Sequence, residues 1–324
     1  MINQLLRFTP ILKQKIWGGK KLNQLLHKNS DGSNIGESWE ISDVDGDESV
    51  VSNANLKGRT LRSLLKEHKH DLVGTYVYNT FGEQFPLLIK FIDAKEVLSI
   101  QVHPDDNLAG LQESFGKTEM WYVMQADDEA NIIIGFKENS NKEEYIQHLN
   151  SKTLLNILNV DEVAKGDVYF VPPGRVHAIG AGLLIAEIQQ TSDITYRIYD
   201  WDRKDIDGNY RELHTKKALE AIDFSAKNSY KTAYKKQKNI ANQVVTCPYF
   251  TTNILPVKGK TRVDLSKKDC FIIYMCVEGE VTFFYKNQQE VVRKGETILV
   301  PACIDGVEIL SEQHSSELLE TYIK

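Results

Sequence analysis

The sequence predicts a mainly β protein built from two barrel- or sandwich-like domains, and three observations carry that reading. Short runs of alternating or β-branched apolar residues, separated by Gly, Asp and Asn turns, recur from Gly36 to Val300. The unit Lys165-Gly-Asp-Val-Tyr-Phe-Val-Pro172 returns as Lys294-Gly-Glu-Thr-Ile-Leu-Val-Pro301, with the same lysine-glycine, acidic residue, four-residue strand and proline. A lysine-rich, apolar-poor stretch from Lys227 to Lys238 reads as a linker and separates a region with helical patterns from one with strands alone. The expected division is 1–235 and 236–324, with a small helical insertion at about 137–160 in the first domain.

The elements follow in order. Lys21–Leu26 has a short helical pattern, Gly36–Ser42 alternates as a strand, and Asp43-Val-Asp-Gly-Asp is hairpin chemistry before Ser49–Ser52. Thr60 opens a helix through Leu61, Leu64 and Leu65. Phe85–Asp93 is an apolar strand carrying one lysine, Lys90, which is either an edge residue or a site group, since a buried lysine is rarely left unpaired. Asn131–Gly135, Val168–Val171 and Leu183–Gln190 read as strands, and Lys142–Leu158 as helix. Asp205–Asn209 is a turn at a tip and Thr215–Ile222 a capped helix. Beyond the linker, Val244–Thr246, Phe250–Leu255, Phe271–Met275, Glu280–Tyr285 and Thr297–Val300 are strands.

Composition excludes several classes. A chain of 324 residues with 41% hydrophobic and 26% charged residues is an ordinary globular protein. A net charge of -6 leaves no basic footprint for nucleic acid, so any anion site must be local. No run suits a membrane helix, and the first residues lack a signal peptide's order, so a cytoplasmic protein is expected. The four cysteines, Cys247, Cys270, Cys276 and Cys303, have no C-x-x-C spacing and read as reduced thiols.

The chemistry concentrates in two stretches. In Ser99-Ile-Gln-Val-His103 the polar residues fall at every second position, so Ser99, Gln101 and His103 share one strand face. Lys117 and Glu119 share a face in the next alternating run, and a Pro-Pro-Gly turn sets His177 at the end of another strand. Singly, each is more ordinarily a solvated or hydrogen-bonded residue. Together, Gln101, His103, Glu119 and His177 form a mixed nitrogen and oxygen set of the kind zinc accepts. Further on, Arg197 lies in a polar, aromatic stretch that reads as a lining segment, and its plain alternative is an ion pair with Asp193 or Asp200. In the second copy of the repeat, Gly306 stands at the place of His177, so only the first copy is expected to hold a metal.

Gly166-x5-Pro172-x-Gly174-x2-His177 resembles the second motif of the cupin superfamily, small jelly-roll barrels with a metal in the mouth, although Ala181 replaces the usual closing Asn. Gln101-x-His103 stands where many cupins have two histidines. Ser-Ile-Gln-Val-His-Pro-Asp-Asp, Lys117-x-Glu119-Met-Trp-Tyr, Pro172-Pro-Gly-x-x-His177 and Glu187-Ile-Gln-Gln-x-Ser-Asp-x-Thr-Tyr-Arg197 together resemble the type I mannose-6-phosphate isomerases in their short bacterial form. The resemblance runs from Phe8 to the last strand. It implies two cupin barrels and one zinc ion per chain at Gln101, His103, Glu119 and His177. It also implies Arg197 as the active-site arginine, and Ser99, Lys117 and Glu187 beside a sugar phosphate.

Interconverting an aldose and a ketose phosphate moves a proton between adjacent carbons through an enediol, which needs a cation at the developing charge and a proton shuttle. Glu187 and Lys117 are the shuttle candidates, because the two histidines are taken by metal. Arg197, Arg203 or Lys90 could hold the phosphate. Two other classes stay open at this point, a metal-cupin oxygenase and a sugar-binding bicupin without turnover. A monomer or homodimer is expected, with no nucleic-acid partner.

Overall fold

Leu87–Ala94 is buried at all eight residues because it lies inside a six-stranded sheet. Its odd positions, Leu87, Ile89 and Phe91, join one apolar cluster, and its even positions Ile92 and Ala94 join another. Lys90 is even, so it points with Ile92 into the barrel interior.

The computed structural model describes residues 2–28, 32, 34–112, 114–205 and 207–324. The strands used below are β1 (Ile11–Gly19), β2 (Ile35–Ile41), β3 (Leu87–Ala94), β4 (Ile100–Val102), β5 (Glu119–Ala126), β6 (Asn131–Phe136), β7 (Leu158–Glu162), β8 (Val168–Val171), β9 (His177–Ile179), β10 (Leu183–Gln190) and β11 (Tyr196–Tyr199). They form two sheets, β8-β5-β10-β3-β1-β2 and β7-β6-β9-β4-β11, and β3 also pairs β2. Trp121, Val123, Ile132, Ile134, Ile179 and Ile185 fill the space between them. On the outer face of the five-stranded sheet, Ile100, Val102 and Ala178 pack on Tyr145 and Ala218 of the flanking helices. This is the double-sheet barrel expected, with few helices around it.

The second barrel is one seven-stranded sheet of β12 (Asn242–Thr246), β13 (Thr251–Asp264), β14 (Ile272–Glu278), β15 (Glu280–Tyr285), β16 (Gln288–Arg293), β17 (Thr297–Val300) and β18 (Gly306–Tyr322). β13 and β18 pair from Thr251↔Tyr322 to Asp264↔Gly306, with a register break between Val257 and Gly259 that bends the sheet over its own core. A third cluster, containing Phe85, Phe91, Phe250, Phe271 and Leu319, cements the two barrels.

The repeat is a structural equivalence. Gly166 and Gly295 both take positive φ, 95° and 85°, and donate to Val123 O and Cys276 O, each at 2.8 Å. β8 pairs β5 through Val171↔Glu119, and β17 pairs β14 through Val300↔Ile272, so Ile272 occupies the place of Glu119. The buried carboxylate row is kept: Tyr274↔Glu320↔Asn253 corresponds to Trp121↔Glu187↔Lys90. The residue that faces the second core near the expected Gly306 is its neighbour Val307, buried in that barrel's apolar cluster, so the register there slips by one from the count along the sequence.

Other expectations need correction. The helical insertion is a helix at Lys142–Asn150 and a single turn at Leu154–Asn156, after which Leu158 begins β7, because its Asn159-Val-Asp alternation pairs with β6. Thr60 caps Leu61–His68, its hydroxyl accepting from Ser63 N, but Thr215–Ala221 has no side-chain cap. Helices at His70–Val73, Thr75–Phe81 and Asp106–Gly110 and the long β18 were not foreseen. Of the expected tip at Asp205–Asn209, Ile206 lies outside the described residues. The lysine-rich segment is a strap rather than a free linker. Tyr230 is buried against the first barrel and exchanges hydrogen bonds with Phe136, Thr232 N donates to Val168 O, and Tyr234 Oη donates to Gly166 O. The amino-terminal residues also cross the expected boundary, with Leu5 in the second core and Leu6 bridged to Leu299. All four cysteines are free thiols.

Candidate active site and metal centre

Two cross-strand rows face each other across the barrel mouth. In the five-stranded sheet His177 pairs with Gln101, and Gln101 with Arg197. In the six-stranded sheet Trp121 pairs with Glu187, Glu187 with Lys90, and Lys90 with Trp39. Glu119 lies two residues before Trp121 and therefore on the same face. His103 follows the end of β4, and its carbonyl accepts from Gly174 N at 2.9 Å, which latches the Pro-Pro-Gly turn onto the same corner.

His103, Glu119 and His177 are sealed from solvent, and their donor atoms lie within 4.8 Å of one another. His103 Nδ1 faces Ile194 O at 2.9 Å and His177 Nδ1 faces Arg175 O at 2.8 Å. A ring nitrogen against a carbonyl must carry the proton, so both Nε2 atoms present lone pairs. Those lone pairs point at one carboxylate: His103 Nε2 is 3.5 Å from Glu119 Oε2, and His177 Nε2 is 3.5 Å from Glu119 Oε1. Among the described residues, neither Glu119 oxygen nor His103 Nε2 has a hydrogen-bond partner. With the carboxylate ionised, acceptors turned inward on each other in this way are unfavourable unless a proton or a cation lies among them. Donors held at about 2.1 Å by a tetrahedral ion stand about 3.4 Å apart, close to the spacing here. The donor set therefore fits a divalent metal. Burial, with Glu187 nearby, pushes the Glu119 carboxyl up to about 8, whereas burial pulls His177 down to about 3 and His103 well below its usual range.

Gln101 completes the corner, its Nε2 3.2 Å from His177 Nε2. Lys117 Nζ lies 3.5 Å from Glu119 Oε2. Glu187 is held from both sides, by Lys90 Nζ at 3.2 Å from Oε1 and by the Trp121 indole N–H donating to Oε2 at 3.0 Å. Burial would lower Lys90, but Glu187, Glu37 and Glu119 outweigh it and raise its pKa, so it stays charged.

Above the cluster opens a cavity of about 360 Å³. Ser99, Gln101, Lys117, Lys90, Glu187 and Arg197 all line it. Arg203 does not. Its guanidinium donates to Val97 O at 2.6 Å and to Asp200 Oδ1 at 2.8 Å, and the arginine in the lining is Arg211. Arg197 forms no ion pair with Asp193 or Asp200 among the described residues. Its Nη1 donates to Glu212 O at 2.9 Å, and its Nε is buried without a partner among the described residues.

The sequence reading missed Lys13, Lys15, Glu37, Trp39 and Arg211 in this lining. The alternation of Gly36-Glu-Ser-Trp-Glu could have placed Glu37 and Trp39 on one face. The Trp39 indole donates to Glu37 Oε2 at 2.7 Å. Despite a desolvation that opposes ionisation, Lys90, Lys15 and Trp39 hold the Glu37 carboxyl at about 2. Nothing local marks Arg211.

Comparison with known proteins gives the same assignment at both ends of the chain. Residues 5–142 match the family described as phosphomannose isomerase type I, catalytic domain, and residues 239–314 match mannose-6-phosphate isomerase, cupin domain. Mannose-6-phosphate isomerase ManA of Bacillus subtilis is 35% identical over 305 residues, covering 93% of this chain and 94% of the relative. The mannose-6-phosphate isomerase of Streptococcus mutans is 35% identical over 313 residues, covering 94% and 96%. A crystal structure of the mannose 6-phosphate isomerase from Bacillus subtilis superposes with a TM-score of 0.88 at 34% identity, covering 98% of this chain and 99% of that one. The structure of a putative mannosephosphate isomerase from Archaeoglobus fulgidus, at 24% identity and a TM-score of 0.80, shares the fold over 100% of this chain and 99% of its own. Fold, length and motif order agree along nearly the whole chain, which places this isomerase in the type I mannose-6-phosphate isomerase family.

Proposed function

We propose that the protein interconverts mannose 6-phosphate and fructose 6-phosphate through an enediol, with one zinc ion held by His103, Glu119 and His177 and with Gln101 as the fourth protein donor. The single observation that carries this is the three-acceptor cluster beneath a cavity lined by Glu187, Lys117 and Arg197. The metal, when bound, supplies positive charge to oxygens on the two adjacent carbons.

The chain's own residues do the rest. Glu187 takes the proton from one carbon and returns it to the next. Its carboxylate is fixed by Lys90 and the Trp121 indole, so it meets the substrate without rotating. Lys117, beside Glu119, brings a second positive charge and an N–H to the same end of the sugar. Arg197 gives fixed positive charge to the anionic substrate from the opposite sheet. Ser99 and Lys90 complete the wall. The same reading makes the protein a cytoplasmic monomer or homodimer; no described helix is long and apolar enough to cross a membrane.

The test is metal analysis with a coupled assay. Fructose 6-phosphate should form from mannose 6-phosphate, stop on chelation and return with zinc. Metal-loaded protein that forms no product would sink the reading.

A further inference from the structure

We propose that Arg211, together with Arg197, holds the phosphate end of the substrate, and that Asp200, braced by Arg203, aims Arg211 while neither of them touches the phosphate. This rests on the sugar-phosphate reading above and assigns the anion's place within that site.

Charge arithmetic around the cavity separates its walls. On one side every lysine has its own carboxylate: Lys13 pairs Asp47, Lys15 pairs Glu37, Lys90 pairs Glu187 and Lys117 pairs Glu119. Counted as a set, with its carboxylates ionised, that wall of lysines carries no net excess. On the other side three guanidiniums, of Arg197, Arg203 and Arg211, surround one buried carboxylate, Asp200. Asp193, also in the lining, is exposed and makes no ion pair among the described residues, and the Glu212 carboxylate stands in solvent. With Asp193 counted beside Asp200, the arginine wall still carries an excess of one positive charge on the side away from the metal cluster, which draws the anionic end of a substrate there.

The free donors point the same way. Asp200 grips Arg211 by two bonds, from Nε to Oδ2 at 2.7 Å and from Nη2 to Oδ1 at 2.5 Å. That fixes the guanidinium plane, and Nη1 has no hydrogen bond among the described residues. Arg197 keeps a buried Nε without a partner among the described residues. Burial first and the neighbouring Arg211 next push Arg197 below its usual range, while Asp200 and Glu212 act against them. Arg203 braces Asp200 from outside the cavity, tied to Val97 O. Two guanidiniums lining one wall repel each other until an anion bridges them.

The experiment compares Arg211→Gln, Arg211→Lys and Arg203→Gln in the zinc-loaded protein, using mannose 6-phosphate, inorganic phosphate and the unreactive polyol phosphate glucitol 6-phosphate as probes. Arg211→Gln should raise KM and the inhibition constant of inorganic phosphate together, each about 10-fold or more, with kcat within about 3-fold and zinc content unchanged. Arg203→Gln should raise both constants by only about 2–5-fold, because it acts through Asp200. If Arg211→Gln does not fold, Arg211→Lys, which keeps the charge and loses the two-bond grip, should still raise both constants about 3-fold. Constants unchanged within about 2-fold, or a fall in kcat alone, overturn the proposal. If the wild-type protein binds glucitol 6-phosphate without isomerising mannose 6-phosphate, the enzyme reading fails, and weaker binding by Arg211→Gln still supports the arginine pair. Equal binding by both overturns it.

Discussion

Glu187 and Lys90 face each other across β10 and β3, with Oε1 3.2 Å from Nζ, and both side chains are about 5% exposed. The pair joins the two carboxylate sites of the cavity, since Lys90 also feels Glu37 on one side and Glu119 on the other. A charge pair this deep is costly to break from one end only.

Lys90→Met should therefore destabilise the protein by about 3–5 kcal/mol, measured by chemical denaturation, because it strands the Glu187 carboxylate. Lys90→Met combined with Glu187→Gln should recover part of that loss. A single mutant as stable as wild type would show that Glu187 is satisfied by Trp121 alone.

Metal retention and turnover should separate by residue. Glu119→Ala removes the carboxylate on which both Nε2 atoms converge, so zinc content should fall to background. Arg197→Ala should keep zinc and lose about 100-fold or more in kcat/KM. Elemental analysis beside the coupled assay checks both, and equal metal loss would show the roles to be misassigned.

The metal-free protein should lose stability as pH rises from 6.5 towards 8. The unfolded Glu119 carboxyl gives up its proton near 4.5 and the folded one only at about 8, so the folded state binds more protons in between and stability falls with rising pH. His177 has the opposite sign, being neutral down to about 3 when folded and protonating near 6.5 when unfolded, so its contribution is lost as pH falls below 6.5. The two oppose each other between 4.5 and 6.5, and only Glu119 acts above that. Glu119→Gln should flatten the upper branch in thermal melts at a series of pH values. Zinc uptake by the wild type at pH 7 should release a proton, read by calorimetry in buffers of different ionisation enthalpy.

The strap around the first barrel should be sensitive at one glycine. Gly135 has a φ of 65°, and a Cβ there would lie 2.3 Å from the Tyr230 ring. Gly46, with a φ of 83°, has nothing within 4 Å. Gly46→Ala should cost about 1 kcal/mol for the backbone alone, and Gly135→Ala at least about 2 kcal/mol more, as it expels Tyr230. Similar losses would mean that the strap does not matter to stability.

The fold and the convergence of His103, Glu119 and His177 are legible where local pattern and tertiary outcome coincide. Ser99-Ile-Gln-Val-His103 alternates because one face of β4 meets the cavity and the other packs on helices. The repeat was visible because a glycine at positive φ and a following proline bracket both strands. Arg211 was not visible, since it sits in an aperiodic segment and owes its place to Asp200, eleven residues earlier. Arg203, nearer to Arg197 along the chain, is turned away by the same carboxylate. β18 escaped notice because its middle, around Ser311 to Ser316, is polar where the sheet bends, so no single period runs through it.

The second barrel keeps the carboxylate row in a different setting. Glu320 is met by Asn253 at 2.9 Å, by the Tyr274 hydroxyl at 2.9 Å and by Lys268 at 3.3 Å. Both oxygens of the Glu320 carboxylate are occupied there by neighbours, and Ile272 and Val307, both in the apolar core, stand near the places that Glu119 and His177 take in the first barrel. The molecule thus carries its own inert twin, and the distance between mortar and machinery inside this scaffold comes down to a handful of side chains on an unchanged frame.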